Sequence, residues 1–251
     1  MDIICLGELL VDMFPAELGR PLADVSAFHP KPGGAPANVA VAARRLGAES
    51  AFIGKVGDDA FGHHLIDVLR AEGVVVSGTR LDRQARTTMA FIAQPDEDTS
   101  EFVFYRNPGA DMQLLPEELD RSMLRSCRAF HFGSISLIAE PSRSATLEAL
   151  AEARRGGALI SFDVNYRPAL WADPGAACEQ IRDATRLVDV VKVNEMELAL
   201  LTDRTGGEGD TGSPPSGRLA RDLPSLRRGS RSLVAMGPRL CVVTLGRNGS
   251  F

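Results

Sequence analysis

Short apolar runs alternate along the chain with longer stretches whose apolar residues recur every three to four positions. The short runs suit buried strands, and the periodic stretches predict helices. Apolar runs occur at residues 3–7, 51–54, 158–162, 188–193 and 240–245, and helical patterns at 60–72, 142–155, 175–186 and 195–202. Strands that alternate with helices predict an α/β fold with a mainly parallel sheet covered on both faces.

Two regions depart from this alternation and predict a small separate β-sheet. Residues 10–14, 87–93 and 101–105 each have the character of a short strand. The last two flank the polar turn Asp96-Glu97-Asp98, as the strands of a hairpin would. We therefore expect a lid beside the main domain, with strands near residues 10–30 and 86–106.

Residues 203–232 differ in composition from the rest of the chain. They are rich in Gly, Pro, Ser and Arg, which predicts a flexible loop or a locally disordered insert. Residues 207–212 match the dinucleotide pattern G-x-G-x-x-G, but Ser213-Pro214-Pro215 follow where a helix should begin. We therefore assign no nucleotide site to this match. The sequence also lacks a G-x-x-x-x-G-K-[S/T] loop, which argues against a P-loop kinase.

Residues 33–47 predict a tight turn followed by a helix. Gly33 and Gly34 let the backbone approach a ligand closely, and Pro36 suits the first turn of a helix. The small residues that follow favour a helix, and Gly47 suits the position just past its end. Such a helix start can hold a polar ligand. A helix that is simply buried by its alanines explains the pattern equally well.

Composition and charge narrow the classes of function. Apolar residues make up 44% of the 251 residues and charged residues 24%, as in ordinary soluble globular proteins. The net charge of −5 gives no electrostatic case for binding nucleic acid. We find neither a membrane-spanning run nor a signal segment in the sequence, and its four cysteines form no C-x-x-C. We therefore expect a cytoplasmic protein with reduced thiols and no membrane partner.

Polar residues follow several of the predicted strands at the point where each strand ends. They are Asp12, then Asp163, Asn165 and Arg167, then Asn194 and Glu197, and finally Thr244 with residues 246–249. Open parallel sheets bind ligands outside the carboxyl ends of their strands. We therefore expect these side chains to line one shared cleft.

Four longer stretches, at residues 33–47, 54–62, 104–112 and 130–137, match the motifs of a known family. On these motifs the chain resembles the ribokinase-like (PfkB-type) carbohydrate kinases, and within them most closely the fructokinase branch. The resemblance covers residues 1–202 and 238–249, and the 2-keto-3-deoxygluconate kinases share much of it. It implies one ribokinase-like domain over residues 1–251, with a three-layer α/β/α fold, a mainly parallel sheet and a small β-sheet lid.

The resemblance also implies a sugar site. Asp12 matches the acidic residue that binds sugar hydroxyls, and Gly33, Gly34 and Asn38 match the sugar-binding glycines and asparagine. Tyr105 and Arg106 match lid residues that close over the substrate. From the residues themselves, a turn aspartate is the alternative for Asp12, and an exposed hairpin face is the alternative for Tyr105 with Arg106.

For the phosphate side, the resemblance implies ATP and Mg²⁺ as cofactors. Asn165 and Arg167 match an N-x-R element in which the guanidinium neutralises charge on the transferring phosphate. Asn194 and Glu197 match an N-x-x-E element that organises Mg²⁺ and its waters, with Glu197 acting indirectly. The turn formed by Thr244, Gly246 and Gly249 resembles the nucleotide-binding T-L-G-x-x-G. Arg167 could instead be a surface arginine, and Asn194 a helix N-cap.

The family's second signature, close to D-T-x-G-A-G-D, does not occur in this sequence. In the family that signature carries the catalytic base and the backbone anion hole, so the resemblance places both beyond Phe251 and implies a missing C-terminal part. We therefore expect a fructokinase-type chain, acting on fructose with ATP, that binds sugar but has little or no turnover. The alternatives are a 2-keto-3-deoxygluconate kinase and a non-catalytic sugar-binding remnant. A homodimer through the lid is expected by analogy.

Overall fold

The structure is a computed structural model that describes residues 1–96, 101–202 and 223–251. Its contacts divide the chain into two compact units. The first unit comprises Met1–Phe132 with Ser136–Ala158, and the second comprises Gly133–Ile135 with Leu159–Phe251. The single domain expected from the sequence stays a prediction.

The first unit holds two sheets and the helices that pack on them. Its strands are β1 (Ile3–Leu6), β2 (Leu10–Pro15), β3 (Phe28–Gly33), β4 (Ser50–Gly57), β5 (Val75–Asp82), β6 (Met89–Ala93), β7 (Glu101–Tyr105) and β8 (Ala129–Gly133), and its helices are α1 (Ala35–Arg45), α2 (Ala60–Ala71), α3 (Arg121–Arg125) and α4 (Ser142–Arg155). Short 3-10 turns connect several of them. The predicted helices at 60–72 and 142–155 are confirmed.

The larger sheet of the first unit is parallel. β1 pairs with β4 on one side and with β8 on the other, and β5 extends the sheet beyond β4. Every residue of β4 is buried, as expected for a parallel strand that is covered on both faces. Phe52 and Phe130 are among the largest fully buried side chains of this core.

The smaller sheet confirms the separate strands predicted near residues 10–30 and 86–106. Its order is β3-β2-β6-β7, with β2 antiparallel to β3, parallel to β6, and β6 antiparallel to β7. The ring of Phe91 meets those of Phe28 and Tyr105 edge to face, with centroids 5.1 and 5.2 Å apart. The predicted turn at 96–98 lies partly outside the described residues. The role of this sheet as a lid stays a prediction.

The second unit contains three further parallel strands with their helices. The strands β9 (Leu159–Asp163), β10 (Val190–Asn194) and β11 (Leu240–Thr244) are neighbours in the order β11-β10-β9, and the helices are α5 (Pro174–Thr185), α6 (Glu195–Thr202) and α7 (Leu223–Val234). The helices predicted at 175–186 and 195–202 are thereby confirmed. Within the described part of the chain, no helix is both long and apolar enough to cross a membrane.

The flexible insert predicted over residues 203–232 is wrong for its last part. Residues 203–222, including the G-x-G-x-x-G match, lie outside the described residues. Residues 223–232 belong to α7, where Leu226 and Leu233 are buried. A Cβ on Gly229 would lie 2.9 Å from Leu198 of α6, so the glycine allows the two helices to approach closely. These few apolar positions lie on one face of α7 and suffice to pack the helix, although the polar composition of the segment predicted a loop.

Candidate active site

The glycine pair sits at the sharp turn between β3 and α1. Gly34 has φ +109°, which an L side chain rarely adopts, and a Cβ there would lie 2.3 Å from the carbonyl oxygen of Glu8. Both the dihedral angle and the crowding therefore require glycine at this position. A Cβ on Gly33 would lie 2.1 Å from Oδ2 of Asp12. The carboxylate of Asp12 thus rests directly on the backbone of the turn.

The structure brings together Asp12, Gly33 and Gly34, three of the residues predicted for a sugar site, and their role in sugar binding stays a prediction. Asp12 is half-buried on β2. Asn38 follows in the first turn of α1, where its N–H donates to the carbonyl of Gly34 at 2.9 Å. Its side chain is exposed, so no packing explains its presence. An exposed amide beside a glycine turn and a carboxylate forms a polar surface suited to hydroxyl groups.

Glu8 is a residue of this region that sequence reasoning missed. It is buried in the link between β1 and β2, and its Oε1 accepts a hydrogen bond from the N–H of Ala35 at 2.8 Å. Within the described part of the chain its Oε2 has no hydrogen-bond partner. Burial raises the pKa of Glu8 to about 7, and the charge of Asp111 raises this pKa further while that of Arg106 lowers it. The signal was available, because Glu8 is the one charged residue in the apolar stretch 3–11.

Tyr105 and Arg106 occupy different environments, although they are adjacent in sequence. Tyr105 ends β7 and is 66% exposed. Arg106 instead points into the protein, where its Nε and Nη2 bind Oδ2 of Asp111 at 2.7 and 2.6 Å. The two side chains are 4% and 1% exposed. Arg106 is therefore engaged by a buried acid, and its closing over a substrate stays a prediction.

Asn194 and Glu197 form a reciprocal cap at the start of α6. The amide of Glu197 donates to Oδ1 of Asn194 at 2.9 Å, and the amide of Asn194 donates to Oε2 of Glu197 at 2.7 Å. This is a capping box, which satisfies two backbone donors that the helix leaves unpaired. The alternative role of Asn194 as a helix N-cap is thereby confirmed.

Glu197 also fixes the loop that follows β9. Its Oε1 accepts from the amide of Tyr166 at 2.7 Å, so both carboxylate oxygens serve backbone donors. Burial raises the pKa of Glu197 above its ordinary value, although the hydrogen bonds from Asn194 and Tyr166 lower it. The described residues hold no group of three His, Cys, Asp or Glu placed to bind a metal ion. The indirect role of Glu197 toward Mg²⁺ stays a prediction.

Asn165 and Arg167 lie in that same loop. Asn165 has φ +40°, an unusual conformation for any residue except glycine, and asparagine tolerates it better than most. Nη1 of Arg167 donates to the carbonyl of Tyr166 at 3.2 Å. Among the residues that the structure describes, no acidic side chain pairs with Arg167. Its positive charge therefore remains suited to an anionic ligand.

The turn after β11 is open to solvent. Oγ1 of Thr244 donates to the carbonyl of Val193 at 3.3 Å, which ties the end of β11 to β10. Gly246 and Gly249 have φ +58° and +85°, and a Cβ on either would meet no atom within 4 Å. These glycines serve the backbone angle and leave the turn uncovered. Such a turn can present N–H groups to phosphate oxygens.

The polar residues thus form one group in each unit. The described contacts within the first unit join Asp12 to the glycine turn, and those within the second join Asn165, Arg167, Asn194 and Glu197 through Tyr166. Whether all of them line one shared cleft stays a prediction.

Comparison with known proteins gives the family. The chain matches the pfkB family of carbohydrate kinases over residues 1–251, and it belongs to that family. It is 42% identical over 247 residues to probable fructokinase-2 of Arabidopsis thaliana, and the aligned region covers 98% of this chain and 70% of that relative. It is 48% identical over 200 residues to fructokinase-2 of Solanum lycopersicum, and the aligned region covers 80% of this chain and 61% of that relative.

A solved structure shows the fold. A double mutant of the fructokinase from Vibrio cholerae O395, with fructose, ADP and potassium bound, superposes with a TM-score of 0.79 at 32% identity. The match covers 99% of this chain and 71% of that one. The predicted ribokinase-like α/β fold is therefore confirmed. The chain spans 61–70% of the length of the two plant relatives, so the activity of the whole protein is treated as a proposal.

Proposed function

We propose that this protein is an ATP-dependent sugar kinase of the fructokinase type, which converts fructose to fructose 6-phosphate. The observation that carries the proposal is the contact of Asp12 with the turn Gly33-Gly34, beside the exposed Asn38. Packing explains the glycine at position 34, but it gives no reason for an exposed amide and a half-buried carboxylate at the same turn. The relationship to fructokinases and the fructose bound in the Vibrio cholerae structure support the choice of sugar.

The first unit would bind the sugar. The carboxylate of Asp12 can accept hydrogen bonds from two hydroxyl groups at once and so fix their orientation. Because Gly33 and Gly34 have no Cβ, the Asp12 carboxylate and the carbonyl of Glu8 can lie against the backbone of the turn, which would place the Asp12 carboxylate beside the sugar. The amide of Asn38 can donate to one hydroxyl and accept from another.

The second unit would bind ATP. Arg167 would lie against phosphate oxygens and offset the charge that develops there, and the turn from Thr244 to Gly249 would hold the nucleotide. The loop around Asn165 and the capping box of Asn194 with Glu197 would order the region where Mg²⁺ and its waters reside. When bound, ATP supplies the phosphoryl group and Mg²⁺ neutralises part of its charge.

We expect these 251 residues to bind fructose but to convert it slowly or not at all. No D-T-x-G-A-G-D motif occurs between Met1 and Phe251, so no residue here matches the family's base. A positioned base contributes roughly 10²–10⁴ to rate. A coupled ADP-release assay with fructose, ATP and Mg²⁺ measures the turnover, and a rate of roughly 1–100 s⁻¹, as in ordinary kinases, would contradict this expectation.

Calorimetry with fructose tests the proposed site. Asp12→Asn and Asn38→Ala should each weaken fructose binding at least tenfold, because each removes hydrogen bonds to hydroxyl groups. The control is Asp67→Asn, which changes an exposed acid on α2 in the same unit and should leave binding unchanged. If the unaltered protein binds no fructose, or if the two site variants bind as well as the control, the proposal is wrong.

We also propose that the chain forms a homodimer through the smaller sheet and works in the cytoplasm. The support for the homodimer is the exposure of Phe102, Val103 and Tyr105 on β7, which is an edge strand of that sheet. Light scattering should give twice the chain mass. Val103→Lys places a charge on that edge and should yield the monomer mass.

A further inference from the structure

The buried ion pair of Arg106 and Asp111 bears on which sugars the site accepts. A sugar that carries a carboxylate, such as 2-keto-3-deoxygluconate, needs a cation in its site. Arg106 is the arginine at the end of β7 and is the obvious candidate. In the structure, however, its Nε and Nη2 both bind Oδ2 of Asp111. The charge that an acidic sugar would need is already neutralised by the protein.

The pair is built into the fold and is not a chance surface contact. Asp111 is held from its other oxygen, because Oγ1 of the buried Thr88 donates to Oδ1 at 2.5 Å. A Cβ on Gly109 would lie 1.9 Å from Oγ1 of Thr88 and 2.6 Å from Oδ1 of Asp111. Only glycine at this position lets Thr88, Asp111 and Arg106 close around the backbone. The geometry therefore keeps the acid on the arginine.

Glu8 adds a second acid and connects this pair to the sugar site. Its charge interacts with those of Arg106 and Asp111, and its Oε1 binds the amide of Ala35 directly after the glycine pair. Asp12 lies against that same glycine pair. Lys31 is exposed and stands opposite Asp12 across β2 and β3.

The charge balance of this region therefore disfavours an anionic ligand. Glu8, Asp12 and Asp111 are three acids, and Arg106 and Lys31 are two bases. Burial lets Glu8 bind a proton near neutral pH, which brings the balance to neutrality at most. Among these five side chains no positive charge is left over for a ligand carboxylate in either protonation state, and like charges in a poorly solvated site repel strongly.

We propose that Asp111, by holding Arg106, is a specificity-determining residue that makes the site accept uncharged sugars and reject sugars bearing a carboxylate. This inference rests on the proposed function, because it concerns the same sugar site. The sequence motifs do not decide between fructose and 2-keto-3-deoxygluconate. The pair of Arg106 and Asp111 gives a physical reason to prefer fructose.

The experiment compares two ligands on one protein sample. Dissociation constants for fructose and for 2-keto-3-deoxygluconate are measured by calorimetry on the full chain and on Asp111→Asn. Their ratio does not depend on the fraction of folded protein, so partial unfolding of the variant does not obscure the result. We expect the ratio to move at least tenfold toward the acidic sugar in Asp111→Asn, because the variant removes the negative charge of the carboxylate that binds the guanidinium.

Two further variants frame the result. Glu8→Gln removes the second acid with little change of shape and should move the ratio in the same direction by a smaller factor. Asp82→Asn is the control, since it removes a half-buried acid of the same unit that pairs with Lys55. It should leave the ratio unchanged. A shift of similar size in this control would overturn the assignment to Asp111.

The outcomes separate the two proposals. If the unaltered chain binds fructose and Asp111→Asn keeps the same ratio, the role of Asp111 is wrong and the fructokinase proposal stands. If the unaltered chain prefers the acidic sugar, the specificity proposal fails. If it binds neither sugar while Asp111→Asn gains the acidic one, the charge argument holds and the proposed function does not. If neither protein binds either sugar, both are rejected.

Discussion

The two groups of polar residues handle a buried carboxylate in opposite ways. In the first unit, one oxygen of Glu8 accepts a hydrogen bond from the amide of Ala35, and within the described residues the other oxygen has no hydrogen-bond partner. In the second unit, Glu197 uses both oxygens on the amides of Asn194 and Tyr166. Burial raises the pKa of both groups.

The difference shows what each carboxylate is suited to do. Glu197 is hydrogen-bonded on both sides and orders two pieces of backbone, so its work is structural even if Mg²⁺ binds nearby. Glu8 sits among the charges of Arg106 and Asp111 and keeps an unused acceptor, so its protonation can change. The first group is therefore electrostatic in character, and the second is a backbone scaffold.

The largest test concerns the turn on which the first group rests. Gly34→Ala should lower the free energy of unfolding by at least about 3 kcal/mol, since it adds a positive-φ penalty to a clash with the backbone of Glu8. Urea melts measure the loss. Gly47→Ala is the control, because Gly47 has φ +92° but open space around it, and it should cost about 1 kcal/mol. Equal losses would mean that crowding against Glu8 is unimportant.

The second test is the pH dependence of stability due to Glu8. Its pKa is about 7 in the folded protein and 4.5 ordinarily, so the folded state holds a proton that the unfolded state has released between these values. The free energy of unfolding of the unaltered protein, relative to Glu8→Gln, should therefore fall as pH rises from 4.5 to 7, by on the order of 2 kcal/mol. Melts at a series of pH values give this difference. If this difference does not change with pH, the claim that Glu8 has an electrostatic role is wrong.

The third test addresses the scaffold role of Glu197. Glu197→Gln replaces one acceptor oxygen with a donor that faces a backbone N–H, which should cost about 2 kcal/mol. Thermal or urea unfolding measures it. Glu179→Gln on α5 changes an exposed acid of the same unit and should have no measurable effect. If both variants are equally stable, the two hydrogen bonds do not hold this loop.

The smallest effect is expected at Asn165. Asn165→Ala should cost about 1 kcal/mol, because alanine tolerates the positive φ poorly. Asn165→Gly should change stability by less than about 0.5 kcal/mol, because relief of strain offsets the greater freedom of the unfolded chain. Both variants should weaken ATP binding if the amide itself contacts the nucleotide. Retained binding in Asn165→Gly would restrict this residue to a backbone role.

The elements with strong local signals were predictable from sequence. The start of α1 follows from two glycines and a proline, and Gly47 ends that helix with φ +92°, as predicted for such a position. The predicted strands and helices of the α/β alternation agree with the structure because their apolar runs and helical periodicities are regular. Helix α7 was missed because its buried face rests on few residues, among them Leu226 and Leu233, within a polar stretch.

The electrostatics of the site were not predictable in the same way. Arg106 and Asp111 are five residues apart, but nothing local indicates that both side chains are almost fully buried. Glu8 acquires its environment from α1 and Asp111, which are distant in sequence. Local pattern thus identified which residues are polar, and the tertiary contacts decide which of their charges remain available.

The hydrogen bond from Ala35 to Glu8 gives the sugar region a spectroscopic reporter of its own. An amide that donates to a carboxylate at 2.8 Å resonates far downfield in a proton–nitrogen correlation spectrum, and its frequency changes when the acceptor gains a proton. Ala35 directly follows the glycine pair, so under the proposed function the same peak would also respond to fructose. One resonance therefore reads both the protonation of Glu8 and the occupancy of the site.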